Sequence, residues 1–177
     1  MQNFIKIAFP VAFAAFFSCK GKPSMTPTAY NDSIVAHQTL IARLMIDMAN
    51  AGDDIQKAQE LRQKAAAQAE ASVKAIENLG PYQDDRKLLD AALNLFNFYK
   101  DICNNEFKEL YDLANNTIHG GDSTSLKKMM EINERIAEKE KPLDEAFASA
   151  QKEFAEKHKI KIEENALQKE IDALGNP

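Results

Sequence analysis

The stretch Leu88-Leu89-Asp90-Ala91-Ala92-Leu93-Asn94-Leu95-Phe96-Asn97-Phe98-Tyr99-Lys100-Asp101-Ile102 decides the fold. Leu88, Leu89, Ala92, Leu95, Phe96, Tyr99 and Ile102 recur at steps of three and four, the spacing that gathers side chains on one face of an α-helix. The stripe carries on through Phe107, Leu110 and Leu113, and Asp84-Asp85 supplies capping carboxylates ahead of it. A helix of this length with one apolar face has to bury that face against other elements. The opposite stripe, Ala91, Asn94, Phe98, Asp101, Asn105 and Lys108, is polar except for Phe98. Phe98 is therefore a candidate contact, for a later segment of the chain or for a partner.

The same spacing appears on both sides. Upstream, Ile55, Ala58, Leu61, Ala65, Ala69, Val73 and Ile76 form an Ala-rich stripe, opened by Asp53-Asp54 and closed by Leu79-Gly80-Pro81. Before it, Tyr30, Ile34, Ile41, Leu44, Met45 and Met48 form another, with His37 and Gln38 at its middle and Gly52 past its end. Downstream of Ile118-His119-Gly120-Gly121, a fourth stripe runs Leu126, Met129, Met130, Ile136, Leu143, Phe147, Ala150 and Phe154. Pro142 lacks a backbone donor and is expected to kink or split that helix. Four long helices joined by short connections must be antiparallel neighbours. The expected fold is all-α: an up-down-up-down four-helix bundle over residues 30–159 with a kinked last helix. Residues 160–177 then form a short helical tail (Leu167, Ile171 and Leu174 resume the spacing) folded over Phe98.

The first 18 residues have a different character. Lys6 precedes the apolar run Ile7 to Phe17, followed by Ser18 and Cys19. This is the order of a secretory signal, and the run is shorter than the roughly 20 residues that a membrane-spanning helix needs. Phe16-Phe17-Ser18-Cys19 resembles the bacterial lipobox, with an aromatic residue where an aliphatic one is usual, a form similar to leaders of Bacteroidota. The resemblance implies cleavage between Ser18 and Cys19, lipid on Cys19, and a mature chain moored to a membrane by acyl chains. Residues 19–29 read as a lipidated flexible tether. They contain no acidic cluster of the kind that resembles a surface-export signal, which favours the periplasmic face of the outer membrane over the cell surface.

Composition narrows the function. The chain has 177 residues, 45% hydrophobic and 28% charged, enough apolar content for one cored domain. The formal net charge is -5 and no basic stripe is present, so no nucleic-acid partner is expected. The residues three before His37, His119 and His158 are Ile34, Asn116 and Ala155, so the Glu-x-x-His pattern of di-iron bundles is missing. Haem-attachment, zinc-protease, nucleophile-elbow and phosphate-loop motifs are missing too. No metal or other cofactor is expected, and no catalytic residue set can be named.

Single residues receive plain readings. His37 is expected to be a hydrogen-bonded core or boundary residue, Cys103 a small buried hydrophobe, and Met45, Met48, Met129 and Met130 core filling. Asp32-Ser33-Ile34 and Asp122-Ser123-Thr124 resemble the Bacteroidota O-glycosylation pattern, making Ser33 and Ser123 candidate acceptors. Ala29-Tyr30-Asn31-Asp32-Ser33-Ile34-Val35 followed by Gln38, together with Phe154-Ala155, resembles a family of uncharacterised surface lipoproteins of Bacteroidota and spirochaetes. That resemblance implies a helical body and an envelope location and names no substrate. The expected function is a membrane-anchored, non-enzymatic helical interaction module with an envelope partner. The alternative is a carrier or sensor of a small apolar ligand or metal held between the helices.

Overall fold

The computed structural model describes residues 25–118 and 123–162. Five helices follow in order: α1 Pro27–Ala49, α2 Ile55–Leu79, α3 Lys87–Asn104, α4 Glu106–Ile118 and α5 Ser123–His158. Among the described residues the only other pairing is an isolated bridge between Tyr82 and Asp85.

Local chemistry sets the boundaries. The Thr26 hydroxyl accepts from the Ala29 N–H at 3.1 Å, and Pro27 occupies the first helical position, where no donor is needed. α1 thus begins three residues ahead of the expected boundary at Tyr30. Asp54 caps α2 through the Lys57 N–H at 2.9 Å. Gly80 ends α2 with φ 71° and ψ -176°, a backbone region that is essentially glycine's alone. α5 ends as a Schellman motif: Ile160 N–H donates to Ala155 at 3.0 Å, Lys159 N–H donates to Glu156 at 3.4 Å, and Lys159 is left-handed with φ 55°.

Two contact groups establish the alternation of direction. At one end Tyr30, from the start of α1, lies against Tyr82, between α2 and α3, and against Phe154, near the end of α5. Away from that end, Met45 of α1 and Arg62 of α2 both reach Cys103 of α3. The chain is therefore an up-down-up-down bundle of four rods in mutual contact, the third of them made of α3 and α4. α2 packs between α1 and α3, so it buries a broad face, with Arg62, Ala66 and Ser72 beside the expected Ala58, Leu61, Ala65, Ala69, Val73 and Ile76. Leu88, Leu89, Leu95, Phe96 and Ile102 of α3 are at the centre of the main core.

The bend falls in the third rod. Asn105 leaves helical geometry at φ -115° and ψ -76°, and both its backbone N–H and its side-chain amide donate to the Asp101 carbonyl at 3.0 Å. Such a side chain competes with the helical ladder. Arg62 Nη1 donates to the Cys103 carbonyl at 2.8 Å, near a break that leaves the last carbonyls short of helical partners. The single expected third helix is accordingly two. Pro142, by contrast, does not split the fourth rod: α5 runs through it for 36 residues.

Candidate functional site

The end of the bundle where α1 starts is closed by an aromatic cluster. Tyr82 meets Phe154 edge-on at 5.4 Å, and His158 meets Phe154 at 4.5 Å and Tyr82 at 4.9 Å. Tyr30 donates its hydroxyl to the Gly80 carbonyl at 2.8 Å, and burial pushes that phenol up to about 12. Gln151 donates to Asn31 at 3.0 Å, tying α5 to α1. Asp85 accepts from Lys157 at 2.7 Å and from the Lys87 N–H at 3.1 Å, and these donors hold its carboxyl below its ordinary range. Lys87 also pairs with Glu153, and Arg86 pairs with Asp90 at 2.8 Å. Around this rim Met25 and Ile162 remain 42% and 43% exposed, and Lys159 and Lys161 are exposed beside them in sequence.

Inside the bundle three polar groupings stand out. His37 Nδ1 lies 3.0 Å from the fully buried Ser72 hydroxyl, which also accepts from Gln68 at 3.1 Å. This matches the expected hydrogen-bonded boundary histidine. Cys103 is fully buried with Met45 sulfur at 3.8 Å, and burial pushes its thiol up to about 12, which makes it a packing residue and a poor nucleophile. Arg62 is a buried cation whose Nε has no hydrogen-bond partner among the described residues. The buried Tyr99 directs its hydroxyl at Asp144, 3.4 Å away, with Glu140 one turn earlier on α5. Desolvation raises both carboxyls, and the Asp144 charge raises Glu140 further.

Toward the other end, α4 and α5 run side by side, joined by Lys139–Glu106 at 3.2 Å and Arg135–Glu109 at 3.8 Å. Leu126 and Met130, one turn apart on α5, are 53% and 60% exposed. That corrects their expected place in the core. The stripe that faces inward is Ser125, Met129, Ile132, Ile136, Glu140, Leu143, Phe147, Ala150 and Phe154, all buried or half-buried. Leu126 and Met130 each sit one position, about 100° of rotation, off that stripe. Ile132, missed in the sequence reading, is 2% exposed. An open hollow of about 660 Å³ lies at the α3–α4 bend, lined mostly by polar side chains including Asn104, Glu106, Lys108, Asp112, Asn116 and Arg135.

The sequence-derived sites fall as follows. Ser18 and Cys19 lie outside the described residues, as do His119, Asp122 and the tail from residue 163. Ser33 is half-buried within α1, well past its first turn, and Ser123 is exposed at the first position of α5. Phe98 is half-buried, packed against the core with its ring 5.8 Å from that of Tyr99. Met48 is buried, and Met45 and Met129 are half-buried. Among the described residues no helix is long and apolar enough to cross a membrane, and no three His, Cys, Asp or Glu side chains gather as a metal-binding group. No family model, curated protein or solved structure matches the chain.

Proposed function

We propose that the chain is an envelope lipoprotein, moored through lipid on Cys19 to the periplasmic face of the outer membrane, whose helical body is a non-enzymatic interaction module. The anchor rests on the lipobox-like Phe16-Phe17-Ser18-Cys19. The observation that carries the module is the exposed pair Leu126 and Met130 on α5. Large apolar side chains left in water on consecutive turns of a helix cost free energy that a partner's surface recovers. They stand toward the end of the bundle opposite the start of α1, where a tethered body presents itself away from its anchor. The carrier alternative fits less well, because the central side chains, Phe96, Leu95 and Ile34, are fully buried and the open hollow is polar.

A photo-crosslinking residue placed at Leu126 or Met130 in living cells is expected to give one discrete adduct band. The same residue at Lys64, exposed on α2, should give none. Equal labelling at all three positions, or none at any, contradicts the module.

A further inference from the structure

Away from the aromatic-capped end the four rods do not reach equally far. Arg62 of α2 lies level with Cys103 of α3, and α2 begins at Ile55, seven residues earlier, roughly 10 Å past that level. Met45 of α1 meets the same Cys103, and α1 stops at Ala49, roughly 6 Å past it. The other two rods go further. Glu109 of α4 is level with Arg135 of α5, so α4 beyond Leu110 and α5 before Glu134 run on together as an arm past both neighbours. The apolar faces of this arm are poorly covered. None of the described α4 side chains is buried, Leu110, Tyr111 and Leu113 being half-buried, and on α5 Leu126 and Met130 are exposed. Leu126 stands on the side of α5 that carries Gln151, the residue bonded to α1, with 25 residues and about 20° of rotation between the two. A longer α1 would cover that side.

We infer that the arm pairs with the arm of a second copy of this chain, the two α5 helices running antiparallel about a twofold axis. The inference rests on the interaction-module reading above and names its partner. Two features of α5 point to a copy of itself. Leu126, Met130, Asn133 and Ala137 are all exposed and are spaced by four, three and four residues, the seam of a coiled coil. When two such seams run antiparallel, Leu126 of each copy meets Ala137 of the other, and Met130 meets Asn133, large against small. The charges beside the seam also change sign along the helix: Lys127 and Lys128 come first, and Glu131, Glu134 and Glu138 follow. Arg135 is turned toward α4, where it pairs with Glu109. Antiparallel pairing sets the basic start of each segment against the acidic part of the other, with Lys127 facing Glu134 twice by symmetry. Parallel pairing would bring like charges to the same level. Within its own chain Lys127 reaches Glu131 at 3.8 Å with both side chains exposed, a contact weak enough to be exchanged. The eight residues from Cys19 to Thr26 extend to roughly 28 Å, so two anchored copies can reach one leaflet with their paired rods lying along it.

Full-length protein carrying Leu126→Cys together with Ala137→Cys is treated with a mild oxidant in membranes of the cells that make it. A disulfide-linked dimer is expected on a non-reducing gel, because the two positions lie opposite each other in the antiparallel register. Either substitution alone should give at least about threefold less dimer, since each position and its own mate are then eleven residues, roughly 16 Å, apart along the helices. Lys127→Glu in the double-cysteine protein should lower the dimer fraction at least about threefold, and adding Glu134→Lys should restore it, at unchanged helical content. Equal dimer from the single and double cysteine proteins overturns the register. An undiminished dimer in Lys127→Glu, or a loss that Glu134→Lys does not reverse, overturns the charge pairing. No dimer from any variant, together with a photo-adduct between Leu126 and a different protein, overturns the second copy and leaves the interaction module standing. No dimer and no adduct removes both.

Discussion

Glu140 occupies a position that the helical spacing reserves for an apolar side chain, between Ile136 and Leu143 on the inward stripe of α5. Partial burial disfavours its charge, and so does the Asp144 carboxylate one turn on, while the Tyr99 hydroxyl offsets part of the penalty. A carboxyl whose pKa is raised in the fold contributes stability below its unfolded value, and that contribution is lost as pH rises through the folded value. Glu140→Gln is therefore expected to raise the denaturant midpoint at pH 7. The gain should fade as pH drops below the ordinary value of 4.5, where Glu140 is protonated in folded and unfolded chains alike. Urea titrations of both proteins at the two pH values check this, and an equal gain at both would contradict it. Glu140 could have been found by following the stripe strictly, since the residue four after Ile136 is a glutamate. Arg62 could not, because its partner is a carbonyl exposed by a bend that no residue pattern announces.

At the scale of elements, spacing located all four rods and capping residues located most of their ends. Asp54, Gly52 and Gly80 act where the sequence placed them. One element differs: the third helix is two. The third rod breaks at Asn105, whose side-chain amide shares the Asp101 carbonyl with its own backbone N–H. The fourth rod continues through Pro142, which lies exposed on α5. A proline inside a helix costs roughly 3 kcal/mol relative to alanine. Pro142→Ala is accordingly expected to stabilise the protein by up to about 3 kcal/mol, read from thermal or urea unfolding. A loss of stability would mean that packing along α5 depends on the proline's geometry. The exposure of Leu126 and Met130 escaped the sequence reading because Met129 and Met130 are adjacent. Periodicity assigns only one of two neighbours to the core, and Ile132 rather than Leu126 identifies which.

At the scale of the molecule the bundle has two unlike ends. One is closed by Tyr30, Tyr82, Phe154 and His158 and is rimmed by charged side chains of both signs; toward the other, Leu126 and Met130 are exposed on α5. Alternation of four rods places the start of α1 and the end of α5 together at one end. Cys19 is proposed as both the first residue of the mature chain and the lipid attachment point. Intact mass of the protein extracted from membranes tests this most directly. The predicted result is a chain beginning at Cys19 with the added mass of its acyl groups, and a Cys19→Ser chain that is not processed to that form. A membrane-extracted protein that retains residues before Cys19, or that carries no acyl mass, would contradict it.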